Sequence, residues 1–271
     1  MSKRKRILLI LSSAVGVICI YLWFFGVATM FAVEARYVGW KVPVVRKTPV
    51  KLTDLSISQA PGARLSWFGC EFEVPWDDLD DTKTRKAGRW EVLKFRSGKT
   101  LLISSPLPKE FVKGMSESGW DAETIRRVFG DKPLQSDYEM YRAMLETTPS
   151  KVTLLTPQPQ ATGYAMMLVT KAIAMPPADT GLFSIDTDKF NGFQYGDPKK
   201  NPPRVVVTLL DSDGGIEISF NNSQAKDKTP LTQSDINRTI RSAHRVSERS
   251  SDPGVSGRIN AETSQRIPVP H

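Results

Sequence analysis

Two cysteines and two histidines are all that this chain offers of the side chains that most often build nucleophile couples and transition-metal sites. No Cys-x-x-Cys pair, zinc-ligand spacing or His-rich set is present, so a thioredoxin-like or zinc-dependent reading has no starting point. His244 sits in a predicted final helix and His271 at the end of the sequence. A Ser–His or Cys–His couple would therefore have to recruit its base from the margin of the fold. No glycine-rich loop is placed to cradle a phosphate. Ser223-Gln224-Ala225-Lys226 matches a Ser-x-x-Lys spacing, but it follows a strand instead of opening a buried helix and reads as chance. Fixed-period repeats are lacking too.

A strong charge of one sign is also missing. The net charge is +8, and removing the four cations Lys3, Arg4, Lys5 and Arg6 leaves +4 among many acidic groups. That balance is too mild and too mixed for a nucleic-acid footprint, and no aromatic-basic recognition motif accompanies it. No nucleic-acid partner is expected.

What is present begins at the N-terminus. The basic cluster leads into an uncharged run from Ile7 to Val33. A helix rises ~1.5 Å per residue and ~20 apolar residues span a bilayer core, so the run predicts a single-pass transmembrane anchor over 7–33, preceded by a basic tip over 1–6. Its length exceeds the ~7–15 apolar residues of a cleavable signal, which favours a retained signal-anchor. Trp23, Phe24 and Phe25 crowd the second half, where ring side chains suit a headgroup boundary. Cations contiguous with the run predict a cytoplasmic N-terminus and an extracytoplasmic domain, with membrane lipid and another envelope component as partners.

Past the run, Pro43 and Pro49 among β-branched residues suggest a semi-stiff linker over 34–51. A folded domain over 52–247 follows, large enough to need no disulfide. Its first part reads as strands. Phe68, Cys70, Phe72 and Val74 alternate with Gly69, Glu71 and Glu73, and Trp90–Phe95 and Thr100–Ile103 flank Ser97-Gly98 as a hairpin. Cys70 in that alternation reads as a buried small hydrophobe. If the anchor spanned, Cys19 would lie mid-membrane and out of reach of Cys70.

The middle reads as helical. Pro108 opens one short helix with Phe111, Val112 and Met115 inward, Ile125, Val128 and Phe129 mark a second ending at Gly130, and Ser136–Glu139 forms a capping box for a third. A fourth, over 163–175, is apolar nearly all round and is expected to be the buried one. Strands return at Leu182–Ile185, Phe190–Tyr195 and Val205–Leu210, the last joined through Asp213-Gly214 to Ile216–Phe220. A last helix is predicted over 232–246, and 248–271 is too poor in apolar groups to order itself. Strands, helices, then strands joined by short links predict an α+β fold with a mainly antiparallel sheet.

The one dense acidic cluster is Asp77, Asp78, Asp80 and Asp81. It lacks the alternating oxygens, central glycine and closing glutamate of a calcium loop, and Asp81 with Arg85 at helical spacing is the economical account. The Asp211–Gly215 segment lies where a hairpin needs its turn. Asn221-Asn222-Ser223 and Asn237-Arg238-Thr239 match the glycosylation pattern. No cofactor, metal or catalytic constellation follows. The sequence thus predicts a membrane-anchored, non-enzymatic α+β domain that binds another component. The alternative is a hydrolase using carboxylates such as Glu73, Asp77, Asp78 or Asp80 as acid and base.

Overall fold

The computed structural model describes residues 3–53, 56–59, 62–87, 90–105, 121–175, 181–198, 204–212, 214–221 and 230–246. The predicted helix after Pro108 and the C-terminal segment 248–271 lie outside them. The chain divides into two compact units, one formed by Met1–Val50 with Leu107–Leu182, the other by Lys51–Pro106 with Phe183–His271.

The first unit is helical. Its elements are α1 (Lys3–Lys41), a 3₁₀ turn at Pro43–Arg46, α2 (Ala122–Phe129), α3 (Asp137–Glu146), a 3₁₀ turn at Pro149–Lys151 and α4 (Gln158–Ala174). α2 forms where expected. Asp121 caps it by accepting from Thr124 N at 2.7 Å, Ile125 and Val128 are buried, and Gly130 ends it at φ 82°. Ser136 caps α3 through the Glu139 amide at 3.2 Å, and Met140, Tyr141, Met144 and Leu145 turn inward. α4 starts several residues earlier than the apolar run suggests, because Pro159 is tolerated in a first turn that needs no N–H partner. It is not buried on every side: Val169 and Ile173 are exposed, while Lys171 is completely buried.

Among the described residues, no helix is long and apolar enough to cross a membrane, which overturns the predicted anchor. The apolar run is part of a helix that continues unbroken through Glu34, Arg36 and Lys41, and its later turns lie against α4. Ala32 is buried, the Tyr21 hydroxyl donates to the Leu154 carbonyl at 3.0 Å, and the Thr29 hydroxyl donates to the Phe25 carbonyl at 3.2 Å. This face of α1 meets protein where the sequence reading gave it lipid. The single-pass, signal-anchor and extracytoplasmic assignments fall with it. Lys3, Arg4, Lys5 and Arg6 belong to the first turns of α1 and form no separate tip. Trp23 and Phe24 are exposed, and Phe25 is half-buried with its ring 5.4 Å from that of Tyr21.

The second unit carries the sheets: β1 (Val50–Lys51), β2 (Ala63–Trp67), β3 (Cys70–Val74), β4 (Arg85–Ala87), β5 (Trp90–Lys94), β6 (Thr100–Ser104), β7 (Leu182–Asp186), β8 (Asn191–Gly196), β9 (Arg204–Asp211), β10 (Gly214–Asn221), α5 (Gln233–Ser242) and β11 (His244–Arg245). An eight-stranded sheet runs β1-β7-β8-β9-β10-β6-β5-β4, and a small one runs β11-β3-β2. β4 to β6 and β8 to β10 pair antiparallel, as does β6 with β10, so the α+β class with a mainly antiparallel sheet holds.

Alternation decides which face closes the core. Val205, Val207 and Leu209 of β9 stand in register with Phe220, Ile218 and Ile216 of β10, and Ile103 and Leu101 of β6 continue the same face. Phe72, Val74, Trp76 and, from α5, Ile236 and Ile240 pack into this cluster. Trp76 meets Phe95 and Phe220 edge-on at 5.0 and 6.0 Å. The strand read over 68–74 is instead a hairpin: Phe68 and Gly69 both take positive φ, 51° and 71°, and join β2 to β3 as a two-residue type I′ turn. Cys70, Phe72 and Val74 are buried as the alternation required, and Phe68 is exposed at the tip. The last helix is shorter than predicted. Thr232 and Asp235 form the reciprocal box at its start, but the chain extends after Ala243 and β11 pairs with β3.

Candidate functional site

The helical unit holds a groove of about 1130 Å³ between α1 and the segment 148–155. Tyr21, Ala32, Val33 and Arg36 line one side. They recur at helical spacing because Tyr21, Ala32 and Arg36 fall on one stripe of α1. Thr148 to Leu155, with the exception of Lys151, line the other, and Arg46 closes it from the 3₁₀ turn. The Tyr21–Leu154 hydrogen bond fixes one end. Leu154 and Leu155 form its rim, 54% and 73% exposed, an uncommon state for adjacent leucines in a short connection.

The opposite end is fixed by Lys171. Its Nζ donates to the carbonyls of Leu145 at 2.5 Å, Lys47 at 2.6 Å, Thr147 at 2.9 Å and Val45 at 3.3 Å. These are carbonyls at the C-terminal ends of α3 and of the Pro43–Arg46 turn, which lack helical partners. One ammonium therefore caps two helix ends, where its positive charge also suits the dipoles. Burial lowers its pKa from 10.5 to about 8. Fully enclosed and surrounded by acceptors, this amine is a staple between α4, α3 and the residues after α1, and it is not presented as a nucleophile.

A second hollow, of about 590 Å³, is lined by Thr48, Phe129, Glu146, Thr147, Lys151 and Tyr164 among others. Phe129 and Tyr164 meet edge-on at 5.5 Å, and Glu146 already accepts from Arg142 Nε at 2.7 Å.

The acidic cluster is dispersed among local structural tasks. Asp78 Oδ2 accepts from the Ser97 amide at 2.6 Å and its carbonyl accepts from Arg96 N at 2.9 Å, which holds the β5–β6 hairpin. Asp80 accepts from Lys83 Nζ and from the Thr82 hydroxyl, both at 2.6 Å, and these bonds lower its carboxyl to about 2. The expected partnership of Asp81 with Arg85 does not form, because residues 81–83 make a turn and Arg85 begins β4. Asp77 and Asp81 are exposed. Glu73 lies apart from them on β3, near Arg64 at 3.4 Å and Arg238 at 3.7 Å. Among the described residues, no three or more of His, Cys, Asp and Glu converge as a metal would require.

Other polar groups are engaged in the sheet unit. Arg245 holds Asp211 through two bonds at 2.7 and 2.9 Å and donates to the Phe68 carbonyl at 3.1 Å, tying β11 to both the β9–β10 and β2–β3 turns. Cys70 lies beneath, completely buried, and burial pushes its thiol up. Asn237, within one glycosylation pattern, is fully buried and donates to the Ser56 carbonyl at 2.8 Å, so it presents no acceptor amide. His244 faces Glu71 at 3.4 Å on the small sheet.

Neither family models nor curated proteins nor solved structures match this chain. Sequence reading missed the groove, since its walls come from segments more than a hundred residues apart, though Leu154-Leu155 and the lone Lys171 in an apolar helix were visible signals.

Proposed function

We propose that the chain is a non-catalytic binding protein that takes up an apolar group of another cellular component in the groove between α1 and residues 148–155. The observation that carries this reading is the rim of Leu154 and Leu155, exposed above a trough walled by Tyr21, Ala32, Val33 and Val152. Apolar surface gathered in a concavity gains ~25 cal/mol per Å² when covered, whereas the same leucines scattered on a convex surface would offer no shared contact. The carboxylates that an acid–base hydrolase would use support it further, because Asp78 and Asp80 are committed to a hairpin and a turn.

The test is direct. An uncharged reporter such as N-phenyl-1-naphthylamine should brighten on the wild-type protein, and Leu154→Asp with Leu155→Asp should abolish most of that signal while circular dichroism stays unchanged. Equal brightening of the double variant would place apolar binding elsewhere and end this reading.

A further inference from the structure

The groove is not uniform along its length, and its two ends can be located from hydrogen bonds alone. Tyr21 and Leu154 touch at one end. At the other, Lys171 draws the carbonyls of Val45 and Thr147 onto one nitrogen, so Arg46 and Thr148, the next residues of each segment, lie side by side. The Tyr21 hydroxyl also lies 3.0 Å from the Thr29 hydroxyl, so the Leu154 end stands near Thr29, and Arg36, two helical turns beyond Thr29, lies roughly 10 Å further along α1, toward that same end. The Thr148 and Ser150 hydroxyls, 2.7 Å apart, are there as well.

The result is a trough with leucines at one end and two cations with hydroxyls at the other. Arg36 and Arg46 are exposed and neither forms an ion pair with a described residue, whereas Arg126, Arg127 and Arg142 of α2 and α3 each find a carboxylate. An arginine fork is preorganised for a carboxylate and leaves that capacity unused here.

Building on the binding reading above, we infer that the groove's ligand is a free single-chain carboxylate amphiphile of the fatty-acid class, its head on Arg36 and Arg46 and its tail running toward Leu154 and Leu155. Volume agrees, since ~300–1,000 Å³ is typical of small-molecule sites and this open groove, at about 1130 Å³, is slightly larger. No covalent step is involved; the tail leaves water and the carboxylate exchanges hydration for guanidinium donors.

The experiment uses the full-length protein and cis-parinaric acid, a fluorescent fatty acid, kept below its aggregation concentration at pH 8. Palmitate should displace the probe at one site, and hexadecanol, with an equal chain and no charge, should need at least ten times more. Arg36→Gln with Arg46→Gln should weaken palmitate about tenfold or more and leave hexadecanol unchanged; both positions are exposed, so folding is not at stake. Leu154→Asp with Leu155→Asp should weaken both. If hexadecanol competes as well as palmitate, or if the arginine variant binds palmitate normally, the anionic ligand class is wrong while apolar binding at the groove stands. If the leucine variant binds the probe like wild type, the groove itself is wrong and both inferences fall.

Discussion

Lys171→Met is the substitution that most directly tests how the helical unit is held together. Methionine matches the length and much of the volume of the lysine stem, so packing around α4 changes little and the effect isolates the ammonium. Three carbonyls, those of Leu145, Lys47 and Thr147, lie within 2.9 Å of Nζ and would lose their donor inside the protein. An orphaned buried acceptor costs ~1–3 kcal/mol, giving about 3–9 kcal/mol, centred near 6, for the three. Against this stands the desolvation of the charge, which lowers the pKa from 10.5 to about 8 and at ~1.4 kcal/mol per unit amounts to about 3.5 kcal/mol recovered when the charge is removed. The net expectation is a loss of about 2.5 kcal/mol near neutral pH.

The pH dependence carries the sharper signature. The folded pKa lies below the unfolded one, so between about 8 and 10.5 the unfolded chain binds more protons than the folded chain. Wild-type stability therefore rises with pH through that window by up to ~1.4 kcal/mol per unit, and the variant lacks this contribution. Other titrating groups act on both proteins alike. Urea unfolding followed by helix circular dichroism at pH 7 and pH 10 should show the difference between wild type and variant widening with pH. A variant as stable as wild type at both values, or a difference that narrows with pH, would refute the account of Lys171 as a buried charge capping two helix ends.

Further outcomes are expected elsewhere. Phe68→Asn should raise the urea midpoint, because a bulky residue at φ 51° is strained by ~1 kcal/mol and asparagine suits the first position of a type I′ turn; a lowered midpoint would show that the exposed ring contributes packing. A thiol reagent should label one cysteine, the exposed Cys19, in the native protein and two in urea, since Cys70 is buried and its thiol is pushed up; native labelling of Cys70 would contradict the packing of β3. Arg245→Gln should destabilise by about 2 kcal/mol through the half-satisfied Asp211 and expose Cys70 to that reagent. Asp80 should titrate near 2 by carboxyl NMR and move upward in Lys83→Met; its contribution is present above the ordinary carboxylate range and lost as pH falls through about 2.

The elements that were legible are those whose signal is local. The alternation of Cys70, Phe72 and Val74, the Thr232–Asp235 box and the Gly130 stop each need only a few neighbours, and each appears in place. Where a long-range partner competes with a local pattern, the local reading erred. Residues 244 and 245 fall inside the helix predicted from the Ile236, Ile240 and Ala243 stripe, yet β3 offers them ladder hydrogen bonds and Arg245 finds Asp211, so the chain extends. Likewise Phe68 shares the parity of a strand face, but Gly69 permits a left-handed turn and the pairing of β2 with β3 takes it. In the N-terminal run hydropathy counts side chains without asking what they touch: Ala32 and Tyr21 touch the protein's own helical unit, while Val15, Val17, Ile18, Ile20 and Leu22 are exposed.

The groove was beyond sequence reading for a reason that Lys171 makes concrete. A lysine in an apolar helix is anomalous on its own, since an isolated buried charge is prohibitively costly. Its solution is four carbonyls from two segments, one after α1 and one after α3, which no periodicity links. Those same bonds bring Arg46 beside Thr148 and so determine which end of the groove is cationic. The staple and the polarity of the site are consequences of one contact. Loosening Lys171 should therefore weaken carboxylate-amphiphile binding more than hexadecanol binding, because the apolar end is held separately by Tyr21 and Leu154. Displacement titrations on Lys171→Met, at a urea-free pH where it remains folded, should show that asymmetry; equal weakening of both ligands would mean that the two ends of the groove are not independently supported.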